Sequence, residues 1–128
     1  MNKKIKELWI EHLKSDWYEQ NLIDDEVPLR TSDNRWSAFG ILCNIHAQEH
    51  PDVASLQPSE THYCDRMYVI PHHVAIWAGL THRNDVYNSD IFFPKPIHLF
   101  GKTFFSVIEM QDAYVPNFMI ADMIDIYL

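Results

Sequence analysis

Only three glycines, Gly40, Gly79 and Gly101, punctuate the 128 residues of this chain. A phosphate-cradling loop or a dinucleotide fingerprint needs several glycines at fixed offsets, because only glycine lets the backbone approach the phosphates. Both are therefore excluded. Each glycine instead marks local structure. Gly40 lies among Ala38, Phe39, Ile41, Leu42 and Ile45, whose spacing predicts a helix over about 37–49, stopped by Pro51. Mid-helix glycine costs ~1 kcal/mol relative to alanine, so close packing against a neighbour is expected there. Gly79 reads as the left-handed terminator of a short helix that Pro71 opens. Gly101 and Lys102 read as a tight turn between a strand over 97–100 and a strand over 103–110. The apolar run 104–110 also fits a buried helix.

Elsewhere, Ile5, Leu8, Trp9, His12, Leu13, Asp16 and Trp17 fall at helical spacing, predicting an amphipathic helix over 3–19. Residues 21–34 read as a loop with one short strand at most. Residues 62–70 read as a strand, rich in Tyr, Met and Val. Residues 81–96 read as irregular, broken by Pro94 and Pro96, with 91–93 extended. Asn117 is placed to cap a last helix whose inner face carries Ile120, Met123, Ile124 and Tyr127. Trp9, Leu13, Leu42, Trp77 and Ile124 are expected in one core, as are Leu80 and Phe118.

The charge is unevenly distributed. The net value is −8. Residues 15–65 alone carry −8, with only Arg30 and Arg35 as cations, and residues 103–128 carry −4 with no Lys or Arg. Such a surface repels nucleic-acid phosphate, so direct nucleic-acid binding is disfavoured. No apolar run approaches the roughly 20 residues that span a bilayer. The basic start, residues 1–6, leads into an amphipathic segment rather than an apolar signal core. Cys43 and Cys64 are too few for a disulfide framework. The expected location is the cytoplasm, with both thiols reduced.

Four stretches carry a family pattern. They are Gly40-Ile-Leu-Cys-Asn-Ile, Ile70-Pro-His-His-Val-Ala-Ile-Trp-Ala-Gly-Leu80, the pair Gln111-Asp112, and Phe118-Met-Ile-Ala-Asp-Met-Ile-Asp-Ile-Tyr-Leu128. In this order they resemble small bacteriophage and prophage proteins of unassigned function. Those read G-x-L-C-D, then L-P-x-x-V-x-x-W-A-G-L, then L-N-D, then S-F-x-x-I-A-D-x-I. Asn44, Gln111 and Asn117 stand where Asp, Asn and Ser are usual. The resemblance implies a bacterial host cell as the setting and brings no chemistry with it.

Eight histidines raise the question of a metal. His46 and His50 share one helix face, and His62 and Cys64 share one face of the predicted strand. If helix and strand pack together, these four are the candidate ligands for a tetrahedral zinc. The simpler expectation is two exposed imidazoles and a small thiol, so no cofactor is expected. His72 and His73 open a short helix and point about 100° apart, so they do not readily serve one pocket, and both are expected to be solvated surface residues. Cys43 and His46, at i and i+3, form a thinkable nucleophile pair, but Cys43 follows two core residues and reads as a packed hydrophobe.

The expectation is thus a single α+β domain over 1–128, about four helices on a small, mostly antiparallel sheet of three or four strands. The expected mode of action is non-enzymatic. Asp24, Asp25 and Glu26 would bind a basic surface on a host protein, with Asp122 and Asp125 as a second patch. The acidic face would stand in for a phosphate backbone and inhibit machinery that handles nucleic acid or serves defence. A small metal-dependent or thiol enzyme, and a phage particle component, are the alternatives.

Overall fold

The computed structural model describes residues 1–51, 62–64, 66–80 and 90–128. Five helices and two two-stranded sheets lie within them. The mixed α+β class is as expected, but the single sheet is not. One sheet is parallel and the other antiparallel.

Helix α1 (Lys3–Lys14) starts where the Asn2 side chain accepts the Ile5 N–H at 3.1 Å. Its stripe of Ile5, Trp9 and Leu13 is buried. The helix ends five residues earlier than its periodicity suggests. The Ser15 backbone turns extended, and both its N–H and its hydroxyl donate to the His12 carbonyl. Trp17 therefore leaves the stripe and is 62% exposed. Trp9 stays buried and donates its indole N–H to the Ala38 carbonyl at 2.9 Å, fixing α1 to the start of α2 (Ala38–Glu49). Ser37 caps α2 by accepting the Gly40 N–H.

Strand β1 (Glu19–Gln20) pairs in parallel with β2 (Arg35–Trp36). These two-residue strands clamp the ends of the intervening loop. Gly40 makes the loop's return possible: a Cβ there would lie 1.7 Å from the Leu29 carbonyl oxygen. The expected close approach is thus an approach to backbone.

No strand forms over the described part of residues 62–70; Tyr63 and Arg66 make one antiparallel bridge instead. Helix α3 (His72–Trp77) follows Pro71 and ends at Gly79, whose φ is +76°. Strands β3 (Phe92–Leu99) and β4 (Lys102–Ser106) form a hairpin whose two turn residues, Phe100 and Gly101, both have positive φ, as a type I′ turn requires. Pro94 and Pro96 do not end β3. The register shifts between Phe92 and Ile97, where prolines can give no ladder N–H. The part of the irregular segment at 81–89 lies outside the described residues.

The predicted strand over 103–110 stops at Ser106. The Ser106 hydroxyl accepts the Glu109 N–H and starts α4 (Val107–Asp112). Helix α5 (Asn117–Tyr127) packs on α1 and β3. Pro116, not Asn117, is its N-cap. Asn117 is the first helical residue, and its backbone N–H goes to Gln20 Oε1. Ile120 and Ile124 are buried as expected and Met123 and Tyr127 partly so, but Phe118 is 57% exposed. Of the five residues assigned to one core, Trp9, Leu13, Leu42 and Ile124 are buried and Trp77 is half-buried against it. No helix among the described residues is long and apolar enough to cross a membrane.

Candidate functional site: an anchored acidic loop

Residues 21–29 carry the first acidic tract, and the loop's backbone is held at several points. The Asn21 side chain accepts the N–H groups of Ile23 and Asp24, an Asx-type turn, and donates its amide to the Asp24 carboxylate at 2.8 Å. From the far end of the chain, the Tyr114 hydroxyl reaches the carbonyls of Ile23 and Asp24 at 3.3 and 2.8 Å. Tyr114 can do so because it closes α4 in the left-handed region, with φ +60°. The Val27 N–H donates to the Asp112 carboxylate, and the Leu29 N–H donates to the Met67 carbonyl at 2.6 Å. Val27, Pro28 and Leu29 are buried.

With the backbone so fixed, the side chains that remain outside are Leu22 and Ile23, 54% and 67% exposed, followed by Asp25 and Glu26. Asp24 and Glu26 rim an open cleft of about 670 Å³ together with Pro28, Met67 and Tyr68. The cations in that cleft are already engaged. Arg30 lies 5.0 Å over the Trp36 ring and donates to Asn34, while Arg35 pairs with Asp33 at 2.7 Å. Asp112 lies behind the loop. Burial, with Glu26 as a nearby like charge, raises the Asp112 carboxyl above its usual range despite the Val27 N–H.

The second tract fares differently. Asp122 is ion-paired with Lys14 at 2.7 Å, and the Asp125 carbonyl accepts Lys6 Nζ at 3.1 Å. The bond to Asp122, with further attraction from Asp122 and Asp125, raises the Lys14 pKa. The packing of α1 on α5 thus brings Lys14, 108 positions away in sequence, onto the Asp122 carboxylate, and Lys6, 119 positions away, onto the Asp125 backbone carbonyl.

The histidines also regroup. His46 is buried, stacked on His50 with ring centroids 4.3 Å apart, and edge-on to Trp77 at 4.9 Å. Its Nδ1 lies 2.6 Å from the Tyr63 hydroxyl. Burial, then His50 and His73, push the His46 pKa down to about 4. The ring is thus neutral at pH 7, and burial makes the Tyr63 hydroxyl hold its proton more firmly than usual. His62 does not join His46 and His50 as a set with Cys64, because Cys64 sits in a turn at φ +52° rather than on a strand, and His62 is exposed. The thiol instead lies 3.0 Å from His73 Nε2. Among the described residues, no three His, Cys, Asp or Glu side chains are grouped to hold a metal ion. Cys43 is fully enclosed and its thiol pKa is raised by burial, so it is no nucleophile. His72 is exposed as expected.

Sequence reasoning found the acids but not what fixes them. Asn21 carried a readable signal, since Asn commonly binds the backbone two residues on. Tyr114 and Asp112, some 90 positions away, carried none. No curated protein and no solved structure matches the chain. The family described as a domain of unknown function, DUF8296, matches residues 1–128. The chain belongs to that family.

Proposed function

We propose that the protein acts by binding a basic segment of another protein with residues 21–29. The observation that carries this reading is the pairing of a fixed backbone with exposed Leu22 and Ile23 beside Asp25 and Glu26. A preordered loop loses little conformational entropy on binding, so more of the contact energy appears as affinity. The cleft beside it suits a Lys or Arg side chain. The aliphatic stem would lie on Pro28, Met67 and Tyr68, with the charge directed at Asp24 and Glu26. Asp122 is less available than the loop acids, since Lys14 pairs with its carboxylate.

The resemblance to small phage and prophage proteins supports a host protein as the partner. The acidic face supports one whose own surface is basic, as in machinery that handles nucleic acid. The setting that follows is the cytoplasm of a bacterial host, with inhibition of that machinery as the outcome.

The test is capture of partners from bacterial lysate, followed by affinity measurement on the purified pair. Reversing Asp24, Asp25 and Glu26 to Lys should weaken binding at low salt by roughly tenfold or more, chiefly through the association rate. A retained partner that binds the reversed loop equally well would sink the reading. Co-purification with assembled particles would favour a particle component instead.

A further inference from the structure

The binding loop makes no use of the thiol. We propose that Cys64 and His73 form a reactive thiol–imidazole pair, and that Cys64 is a site of mixed-disulfide formation with low-molecular-weight disulfides. The geometry comes from two local devices. Backbone hydrogen bonds in both directions join Tyr63 to Arg66, and Cys64 takes positive φ at the second position of the turn they close. Pro71 then starts α3, whose second residue is His73. The result is Sγ 3.0 Å from Nε2, within reach for proton transfer.

The neighbours favour the reaction at this sulfur. From α2, His46 lies 5.6 Å from the His73 ring and is neutral at pH 7, held between His50 and the Tyr63 hydroxyl. It therefore places no positive charge beside the pair. Arg66 pairs through its backbone with Tyr63, the residue before Cys64. Cys64 is only partly buried, whereas Cys43 is enclosed.

In the reaction, His73 Nε2 takes the Cys64 proton, and the thiolate attacks one sulfur of R–S–S–R. One S–S bond forms as the other breaks, and the leaving R–S⁻ receives the proton from His73. Cys64 is oxidised to the mixed disulfide and half of the reagent is reduced to R–SH. A sulfur electrophile suits this site because the displacement needs no oxyanion donors, unlike acyl transfer.

The experiment follows alkylation of each cysteine by iodoacetamide against pH, by peptide mass spectrometry on the intact folded chain. It then follows mixed-disulfide formation with oxidised glutathione. At pH 7, Cys64 should react about fivefold or more faster than in the urea-unfolded chain, since a free thiol has a pKa of ≈ 8.5. Cys43 should stay unlabelled. His73→Ala should return Cys64 to the unfolded rate and slow mixed-disulfide formation by a similar factor. His73→Gln, which keeps the side chain's size and polarity, should do the same, and melting curves confirm that the variants fold. If the alanine variant does not fold, the glutamine variant and the wild-type pH profile decide. A Cys64 with the rate and pH profile of a free thiol, unchanged by either variant, overturns the proposal.

Discussion

The two acidic tracts look alike as sequence and end in different surroundings. Residues 24–26 and the pair Asp122 and Asp125 both lie in stretches poor in cations. Folding docks α1 on α5, where Lys14 pairs with the Asp122 carboxylate and Lys6 reaches the Asp125 backbone carbonyl. Among the described residues, the first tract's cleft holds two arginines, but one covers Trp36 and donates to Asn34, and the other pairs with Asp33. A charge run becomes a surface potential only if the fold brings it no free countercharge. Backbone fixation adds a second difference. The first tract sits on a loop pinned by Asn21, Tyr114, Asp112 and Met67, and the second rides on a helix.

The largest expected effect comes from the residue that lets the loop close. Gly40→Ala would drive a Cβ into the Leu29 carbonyl, a backbone atom that cannot step aside as a flexible side chain would. Overpacking of this kind costs about 1–3 kcal/mol and occasionally more, and we expect about 3 kcal/mol by urea denaturation. The surviving folded protein should show altered exchange protection in residues 21–29 and unchanged protection in α5. Equal disturbance of both tracts would break the comparison.

Next in size is a pH effect that bounds where the comparison can be made. The His46 pKa lies at about 4 in the fold, against an ordinary 6.5. As pH falls, the unfolded chain takes this proton first. The stability contributed by keeping His46 neutral is complete above about 6.5 and is lost progressively toward 4. Melting temperature should therefore fall over that window, and His46→Gln should flatten the dependence. An unchanged slope in the variant would show that His46 is not the group responsible.

The smallest effect on stability belongs to the second tract. Lys14→Met removes an exposed ion pair, and such pairs contribute little, so the melting temperature should barely move. The variant sharpens the comparison in another way. It unmasks Asp122, and should raise nonspecific attraction for a cationic peptide without creating the specific contact that the loop provides.

The parts of the fold that were legible in sequence are those set by local chemistry. Ser37, Pro51 and the apolar spacing between them mark α2, and Gly79 marks the end of α3. The failures have local causes too. Ser15 captures the His12 carbonyl and cuts α1 short, which no periodicity shows. Ser106 converts an apolar run that reads equally well as strand or helix into four residues of one and six of the other, counted from Thr103 through Ser106 and over α4. The candidate site was half legible. Its acids are visible as a triplet, whereas their anchoring depends on Tyr114 and Asp112, which only the tertiary fold delivers. The Cys64–His73 contact was hidden for a different reason. It depends on positive φ at a non-glycine residue, a conformation uncommon for such residues and not announced by composition.

The most direct test of the central claim is affinity for the captured partner as a function of salt, measured for three proteins. They are the wild type, the chain with Asp24, Asp25 and Glu26 reversed to Lys, and the chain with Asp122 and Asp125 reversed to Lys. Charge contacts at an accessible surface are screened beyond roughly 8–10 Å at moderate ionic strength. The account predicts steep weakening with salt for the wild type and for the Asp122 and Asp125 variant, and weak, nearly salt-independent binding for the loop variant. Equal affinities and slopes for wild type and loop variant would contradict it.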